Sequence, residues 1–215
     1  MGRPSKPLLT RPAIARVALA LIDEAGAHAL TLRAVATRMG VKPQSLYNHV
    51  QSKDDLLDAV TEAMDEGIDV SALADPDWRR GLERAVRAYR DTFARHPEAV
   101  PVIARRPVET RAALSSYDAL LAGLVRAGLT PAEAVEVIAA IDYLVLGSAL
   151  ETFTAGFTRT PEQYRPDHPV LADCLAGADS PEAGGLATLD ERGFTVGLQL
   201  LLDGLSARLA ARPGS

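Results

Sequence analysis

The stretch from Thr31 to Leu57 constrains the fold more than any other part of this chain, because it encodes two short amphipathic helices on either side of a tight turn. Thr31 can cap the free amide groups of a first helix that runs from Leu32 to Met39. The apolar residues of that helix share one side, at the i, i+1, i+4 spacing: Val35, Ala36 and Met39. Gly40 then occupies the position at which a left-handed residue most easily ends a helix.

A second, shorter helix follows the turn. Pro43 fits its first turn, where the missing N–H loses no hydrogen bond, and Leu46 and Val50 hold it against the first helix. A protruding polar helix of this size has the dimensions to enter the major groove of DNA. An ordinary helical hairpin is the alternative interpretation. The side chains predicted to face outward are Gln44, Ser45, Tyr47, Asn48 and His49.

The distribution of charge favours nucleic-acid binding over a plain hairpin. Residues 1–53 contain eight basic and two acidic residues, so they carry +6, whereas the whole chain carries −5. Residues 54–215 therefore carry −11, from 15 basic and 26 acidic residues. A cationic module joined to an anionic body is expected when only one end of a protein meets a polyphosphate. The basic residues of the first segment are Arg3, Lys6, Arg11, Arg16, Arg33, Arg38, Lys42 and Lys53.

Length and composition restrict the class of protein. With 215 residues, 47% of them apolar and 24% charged, the chain can bury one core and a small satellite domain. It has no run of 18 apolar residues, so we expect no membrane association, and its amino terminus lacks the apolar centre of a secretion signal. The sole cysteine, Cys174, excludes a disulfide within the chain, which suits a cytoplasmic protein.

Helix signals flank the hairpin on both sides. Thr10 can cap a helix from Arg11 to Ala25, and Gly26 stands just past its end. Ser52 and Asp55 form a pair resembling a capping box at the start of a fourth helix. These signals predict a compact helical unit around the hairpin.

The remainder of the sequence also predicts helices and shows no strand alternation. An acidic stretch over residues 65–77 marks the expected boundary of the first unit. Residues 158–188 hold several prolines and glycines, and we expect them to form a long loop with one helical turn. The other helices are predicted over residues 78–95, 108–127, 131–157 and 189–211.

The run LTLRAVATRMGVKPQSLYNHVQSKDDLLDAV resembles the DNA-binding domain of the tetracycline-repressor (TetR) family of bacterial transcriptional regulators. Its most distinctive part follows the pattern GVxxxxLYxHVxxKxxLLDA. The resemblance covers residues 10–67 strongly. It continues more weakly through Trp78, Arg106-Pro107 and the AGLTPAEA and LGSALE segments, which resemble the body of the tetracycline repressor subgroup.

The resemblance implies an all-α fold in three parts. Residues 1–53 would form a helix-turn-helix DNA-binding domain with a basic N-terminal arm, and residues 54–67 a connecting helix. Residues 68–215 would form a helical ligand-binding and dimerisation domain. The implied function is a ligand-responsive regulator, a repressor that binds a palindromic operator as a dimer and is released by a small-molecule effector. An activator, or a regulator without a small-molecule ligand, is the alternative.

Two segments are apolar on almost every face, residues 139–150 and 194–205. Such a helix must be covered on all sides. One solution is a four-helix interface formed with a second copy of the chain, which would place two recognition helices about 34 Å apart, or a multiple of that distance. The other is a buried central helix in a monomer.

By resemblance, the positions that face DNA are those of Arg33, Gln44, Ser45, Tyr47, Asn48, His49 and Lys53, and we include Lys42 from the turn. The tetracycline repressor subgroup commonly has Gln-Pro where this chain has Pro43-Gln44, and an aromatic residue at Asn48, so we expect a different operator. The basic arm Gly2-Arg3-Pro4 either lies in the minor groove or is a disordered tail.

The resemblance also predicts ligand contacts in the body. Tyr89 occupies an aromatic ligand position, and Glu151 occupies the acidic position near the chelated magnesium. Val102 and Leu120 replace a metal-binding histidine and a key glutamine, and Ile68 or Asp69 stands where a histidine is expected, so we do not expect a magnesium–tetracycline ligand. Further aromatic residues either line a pocket or belong to the core: Phe93, Tyr117, Tyr143 and Phe153.

The sequence gives little support to an enzyme. The four histidines show no metal-ligand spacing, and neither a glycine-rich phosphate loop nor a nucleophile elbow is present. We therefore predict no catalytic residue, no metal site and no cofactor. Asp142, inside an apolar run, is expected to be paired across a dimer, exposed to a cavity, or at the surface, because an unpaired buried charge is costly.

Overall fold

The structure is a computed structural model that describes residues 9–150 and 152–212, with Thr152 described for its backbone alone. Its regular elements in these residues are helices, which confirms the predicted all-α fold. None of the described helices combines the length and apolar content needed to cross a membrane. The α-helices are α1 (Arg11–Ala25), α2 (Leu32–Met39), α3 (Pro43–Leu46), α4 (Lys53–Asp65), α5 (Trp78–Ala94), α6 (Val100–Ile103), α7 (Arg111–Arg126), α8 (Pro131–Ala149), α9 (Thr152–Ala155), α10 (Pro161–Tyr164), α11 (Pro169–Ala178) and α12 (Leu189–Ala210).

Side-chain caps set the starts of the first helices. The Thr10 hydroxyl accepts the Ala13 N–H at 3.3 Å, and the Thr31 hydroxyl accepts the Ala34 N–H at 3.0 Å. Each cap satisfies an amide that the helix itself leaves without a partner. Helices α1 and α2 therefore have the bounds that the sequence predicts.

Three predictions about the body are corrected. Helix α7 begins at Arg111 because the Thr110 hydroxyl caps it, accepting the Ala113 N–H at 3.1 Å. Helix α8 ends at Ala149, eight residues before the predicted end. Residues 158–188 contain α10 and α11, because Pro161 and Pro169 each open a helix rather than break one.

The apolar residues form two adjoining cores. The first joins α1 to α4 and extends to Phe93 and Val100 of the body. The second fills the space between α5, α7, α8 and α12, with Leu198 fully buried at its centre. Tyr89 packs against both cores. The N-terminal helices are therefore packed directly onto the body.

Gly197 lets α12 approach α8 closely. A Cβ atom at this position would lie 2.8 Å from Leu144 Cδ1, a distance that real Cβ atoms essentially never show. The Leu144 side chain of α8 therefore packs directly against the backbone of α12 at Gly197.

A row of polar contacts sets the register of α12 along α5. Arg79 bonds to Asp203 at 2.6 Å near one end, and the buried Arg90 pairs with Glu191 near the other. The Arg90 guanidinium also lies 5.3 Å from the centroid of the Phe194 ring. Because the contacts are spread along both helices, a shift of one helical turn would break all of them.

We predict that Leu198→Ala lowers the free energy of unfolding by about 2–5 kcal/mol, because it leaves a cavity in a packed core. Urea unfolding at one fixed protein concentration would measure the change. Leu114→Ala on α7 is the matched control, since Leu114 is 53% exposed. It should change stability by less than about 0.5 kcal/mol. Equal losses would contradict the assignment of α12 to the core.

Candidate nucleic-acid interface and ligand cavity

The turn between α2 and α3 depends on Gly40, whose backbone is left-handed at φ 66° and ψ 31°. Gly40 donates its N–H to the last turn of α2, and the Val41 N–H bonds to the Ala36 carbonyl at 3.0 Å. These bonds satisfy carbonyl groups at the helix end. They bring the chain sharply round to Pro43.

Helix α3 is shorter than predicted. It ends at Leu46, and residues 47–49 form a hydrogen-bonded turn rather than helix. The His49 and Val50 N–H groups both bond to the Leu46 carbonyl at 2.8 Å. This turn carries Val50 inward, so that Val50 and Leu46 are both fully buried.

The predicted DNA-contact residues all have accessible surface. Ser45 and His49 are partly buried. Tyr47 is 51% exposed. Residues 42–49 bring six of these side chains together on α3 and its flanking turns, while Arg33 lies at the start of α2 and Lys53 at the start of α4. The exposed members of the set are Arg33, Lys42, Gln44, Tyr47, Asn48 and Lys53.

Arg11 anchors this surface rather than adding to its free charge. Its guanidinium bonds to Asp55 at 2.5 Å and to Glu62 at 2.9 Å, and it donates to the His49 carbonyl at 3.2 Å. It therefore ties α1 to α4 and to the turn after α3. The hydrogen bond from Arg11 to Glu62 raises the Arg11 pKa further, so the charge is permanent.

The charge count of the sequence places Arg11 with the basic surface, whereas the structure gives it this internal role. A signal exists: Asp55 and Glu62 are seven residues apart, so two turns of α4 place both on one face. Arg38 also forms an ion pair within the domain, with Glu24 at 2.5 Å. Two of the eight basic residues therefore have acidic partners.

The other cations of this segment are available to a ligand. Within the residues that the structure describes, no ion pair involves Arg16, Arg33, Lys42 or Lys53. Lys53 makes only a long hydrogen bond of 3.4 Å to the Ala27 carbonyl. Arg3 and Lys6, with the predicted basic arm, lie outside the described residues.

A cavity of about 300 Å³ lies between α4, α5, α7, α8 and the segment after α6. Four aromatic residues predicted as ligand contacts line it, namely Tyr89, Phe93, Tyr117 and Tyr143. The rings of Tyr89 and Phe93 meet edge to face at 5.1 Å between centroids. Glu151, a further predicted contact, lies outside the described residues.

The other residues that the sequence suggests for a ligand site are only partly in the cavity wall. Phe153 does not line this cavity but is 61% exposed, with its ring against Phe157 at 5.3 Å. Phe153 belongs to α9, beyond the end of α8. Ile68 and Leu120 line the wall, whereas Val102 and Asp69 do not.

Two aspartates, Asp65 and Asp142, lie in the wall of this cavity. Asp142 accepts a hydrogen bond from the Tyr117 hydroxyl at 2.6 Å, so of the three alternatives it is exposed to the cavity. Asp65 accepts one from the Thr110 hydroxyl at 2.5 Å. Burial raises the pKa of both carboxyl groups above the ordinary range. The sequence predicts that Asp65 begins an acidic boundary loop. In the structure it is the last residue of α4 and faces the cavity.

The aspartate on α8 also affects the neighbouring phenols. Burial raises the pKa of Tyr89 and of Tyr117, and the negative charge of Asp142 raises them further. Both phenols therefore remain protonated, and the Tyr117 proton is held in the hydrogen bond to Asp142. Groups of three or more His, Cys, Asp or Glu side chains suited to holding a metal ion do not occur in residues 9–150 and 152–212.

Arg106 connects the cavity with α4 on the side of the DNA-contact surface. It lines the cavity, pairs with Asp58, and donates to the Asp54 carbonyl at 3.4 Å. A second link joins His96, just after α5, to Asp23 of α1 at 2.9 Å. Neither contact leaves a pattern in the sequence, because the partners are dozens of residues apart.

The surface of α8 and α12 contains large exposed apolar side chains. On α8, Val135 is 58% and Tyr143 78% exposed. On α12, Val196 is 59% and Leu200 68% exposed. The two segments that are apolar all round are therefore not covered by a single chain, as a buried central helix would be.

Family models match both parts of the chain. The model described as "Bacterial regulatory proteins, tetR family" matches residues 14–60. The model described as "Tetracyclin repressor-like, C-terminal domain" matches residues 72–209, which is more than half of the chain.

Individual relatives match over almost the whole length. The HTH-type transcriptional repressor DrrR1 of Streptomyces coeruleorubidus is 32% identical, over 99% of this chain and 83% of that protein. The tetracycline repressor protein class A from transposon 1721 of Escherichia coli is 32% identical, over 91% of this chain and 89% of its own.

Solved structures match with the same coverage. A possible TetR family transcriptional regulator from Streptomyces coelicolor A3(2) has a TM-score of 0.70 at 29% identity, over 92% of this chain and 98% of that one. A single-residue variant of TetR from Acinetobacter baumannii AYE, in complex with minocycline, has a TM-score of 0.70 at 25% identity, over 96% and 98%.

We predict that Asp142→Asn stabilises the free protein near neutral pH. Because burial raises the pKa of Asp142 in the folded state, the folded chain holds this proton more tightly than the unfolded chain does. Stability is therefore lost as the pH rises from the unfolded pKa through the folded pKa, and the loss is complete above it. Asparagine keeps the shape without the charge.

Urea unfolding of both proteins near pH 7 and near pH 4 would measure this effect. The advantage of the variant should shrink toward the lower pH. The exposed Asp118→Asn on α7 should show no such difference, because water already solvates that carboxylate. A variant less stable than the wild type at neutral pH would mean that Asp142 is a structural acceptor.

Proposed function

The chain belongs to the TetR family of bacterial regulatory proteins, and from that membership we propose that it represses transcription as a two-fold dimer on a palindromic operator. A small molecule entering the cavity would release it from the DNA. One observation carries the proposal: a surface with unpaired cations lies at one end of a helical body that encloses an aromatic cavity. The role is regulatory rather than catalytic, in keeping with relatives named as repressors.

Side-chain chemistry divides the DNA contacts into two groups. Gln44 can form paired hydrogen bonds with adenine, and Arg33 with guanine, so these residues would read bases. Tyr47, His49 and Lys53 would bind backbone phosphates, which fix the register of the protein on the duplex. The hydrogen-bonded turn that replaces the end of α3 keeps Tyr47 and His49 close to the start of α4.

Dimerisation through α8 and α12 is supported by their exposed apolar residues. Tyr143 and Leu200 would be buried by the same faces of a second copy, as in a four-helix interface. Two DNA-binding surfaces would then be held at a fixed spacing, about 34 Å or a multiple of it. Because Tyr143 also lines the cavity, the dimer interface and the ligand site would share a side chain.

Helix α4 would transmit ligand binding to the DNA-binding surface. Thr61 and Asp65 of α4 line the cavity, and Asp55 of the same helix bonds to Arg11 beneath the DNA-contact turn. A ligand that displaces the cavity end of α4 would therefore also move its other end. A coupling of about 1–3 kcal/mol would weaken DNA binding roughly 5- to 150-fold. The relative from Acinetobacter baumannii has been solved with minocycline, which supports a small-molecule effector.

Salt-sensitive binding to DNA from upstream of its own gene tests the DNA-binding proposal. If a dimer contacts about six to ten phosphates, affinity should fall roughly 10³–10⁵-fold between about 50 and 200 mM salt. Fluorescence anisotropy with labelled duplexes would measure the slope. Arg33→Gln should weaken binding by about 1–3 kcal/mol, the value of a lost base contact.

Arg84→Gln is the matched control for this experiment. Arg84 is an exposed arginine of α5 in the body, and the same change of charge there should leave DNA affinity unaltered. Equal losses in the two variants would assign the effect to net charge, and salt-independent or absent binding would exclude the repressor.

Leu200→Glu should convert the dimer into a monomer, because it would place a charge in the apolar interface. Sedimentation velocity would detect the change, and DNA affinity should fall because one DNA-binding surface remains per particle. Leu114→Glu on α7 is the control and should remain dimeric. A wild-type protein that sediments as a single chain, with and without DNA, would reject the two-fold dimer.

A further inference from the structure

The charged groups of the cavity are unequally balanced. Three acidic residues line it, Asp65, Glu109 and Asp142, against a single basic residue, Arg106. That arginine is paired with Asp58, which is not among the lining residues. The lining described here contains neither lysine nor histidine. The cavity is therefore electronegative, because its one arginine is already paired with Asp58 of α4.

The two inward carboxylates have only neutral hydrogen-bond donors. Tyr117 donates to Asp142 at 2.6 Å and Thr110 donates to Asp65 at 2.5 Å. No ion pair to either aspartate exists in the part of the chain that the structure describes. A partly buried carboxylate in this position has lost water without gaining a counter-ion, which is unfavourable. A cation brought by a ligand would remove this penalty.

Aromatic rings lie beside the same carboxylate of α8. Asp142 is hydrogen-bonded to Tyr117, and its charge acts on Tyr89, so both phenols are its close neighbours. Tyrosine faces attract cations, and they also cover flat apolar groups. The cavity volume of about 300 Å³ is at the lower end of sites that hold drug-sized molecules. These features suit a ligand of about three fused rings with one charged substituent.

We propose that the effector is a lipophilic aromatic amine, whose rings lie against Tyr89, Phe93 and Tyr117 and whose ammonium group binds Asp142. This inference rests on the proposed function, in which the cavity is the effector site. It goes further by selecting cationic over neutral and anionic ligands. The ammonium would bind Asp142 as a charged donor beside the neutral Tyr117 hydroxyl and the neighbouring Tyr89.

Three fluorescent probes that differ only in one substituent test the proposal on the full-length protein. They are 9-(aminomethyl)anthracene, which is cationic near neutral pH, neutral 9-anthracenemethanol, and anionic 9-anthracenecarboxylate. Fluorescence titration should rank the cation first, by about tenfold to a hundredfold over the alcohol, as expected for a hydrogen bond between charged groups. The carboxylate should bind most weakly.

Variants identify the group responsible. Asp142→Asn should reduce affinity for the amine to about that for the alcohol, while leaving the affinity for the alcohol unchanged. Asp118→Asn removes the same charge from the exposed side of α7 and should preserve the full ranking. Were Asp142→Asn unable to fold, the ranking of the three probes by the wild type would still decide the charge preference.

Several outcomes would overturn the proposal. Equal affinity for all three probes, tightest binding of the anion, or no binding at all would reject a cation-selective cavity. A loss in Asp142→Asn that is the same for all probes would show that Asp142 only shapes the wall. Failure of the proposed function has a different signature, the absence of salt-sensitive DNA binding by the free protein. The charge preference can therefore fail while the repressor stands.

Discussion

The burial of one broad face of α4 is the constraint on which the rest of the structure depends. Leu56 and Val60 are fully buried and Met64 is 2% exposed, in a core shared with α1 and with Phe93 of the body. A helix packed this closely cannot shift at one end while remaining fixed at the other, because interiors are dense and resist deformation. The predicted DNA-contact surface and the cavity are therefore attached to one rigid element.

Three acidic residues of α4 bond to residues of other elements: Arg11, Arg106 and Thr110. Asp55 bonds to Arg11 beneath the DNA-contact turn, Asp58 pairs with Arg106 at the cavity wall, and Asp65 faces the cavity itself. Each exposed ion pair contributes little stability on its own. Their effect is to connect the same helix to α1 on one side and to the cavity wall on the other. On the proposed mechanism, changes at Arg106 or Asp65 would be transmitted through α4 to the turn after α3.

How much of this could be predicted depends on the distance along the chain between interacting residues. The caps at Thr10 and Thr31 and the turn at Gly40 act over a few residues, so the sequence predicts α1 and α2 to the residue. Arg11 finds its partners 44 and 51 residues away, and no local pattern around Arg11 indicates this. The prolines that open α10 and α11 show a further limit, because proline marks a helix start as readily as a loop.

The candidate cavity was predictable in its aromatic residues but not in its charge. Resemblance and composition point to Tyr89 and its neighbours, whereas the inward direction of Asp65 and Asp142 depends on how α4 and α8 are rotated about their axes. Proteins commonly retain residues that lower stability where function needs them. A partly buried Asp142 whose neighbours are neutral phenols rather than a cation fits that pattern, because a neutral side chain would pack there at lower cost. On the proposed mechanism, relief of this penalty is part of the free energy with which an effector binds.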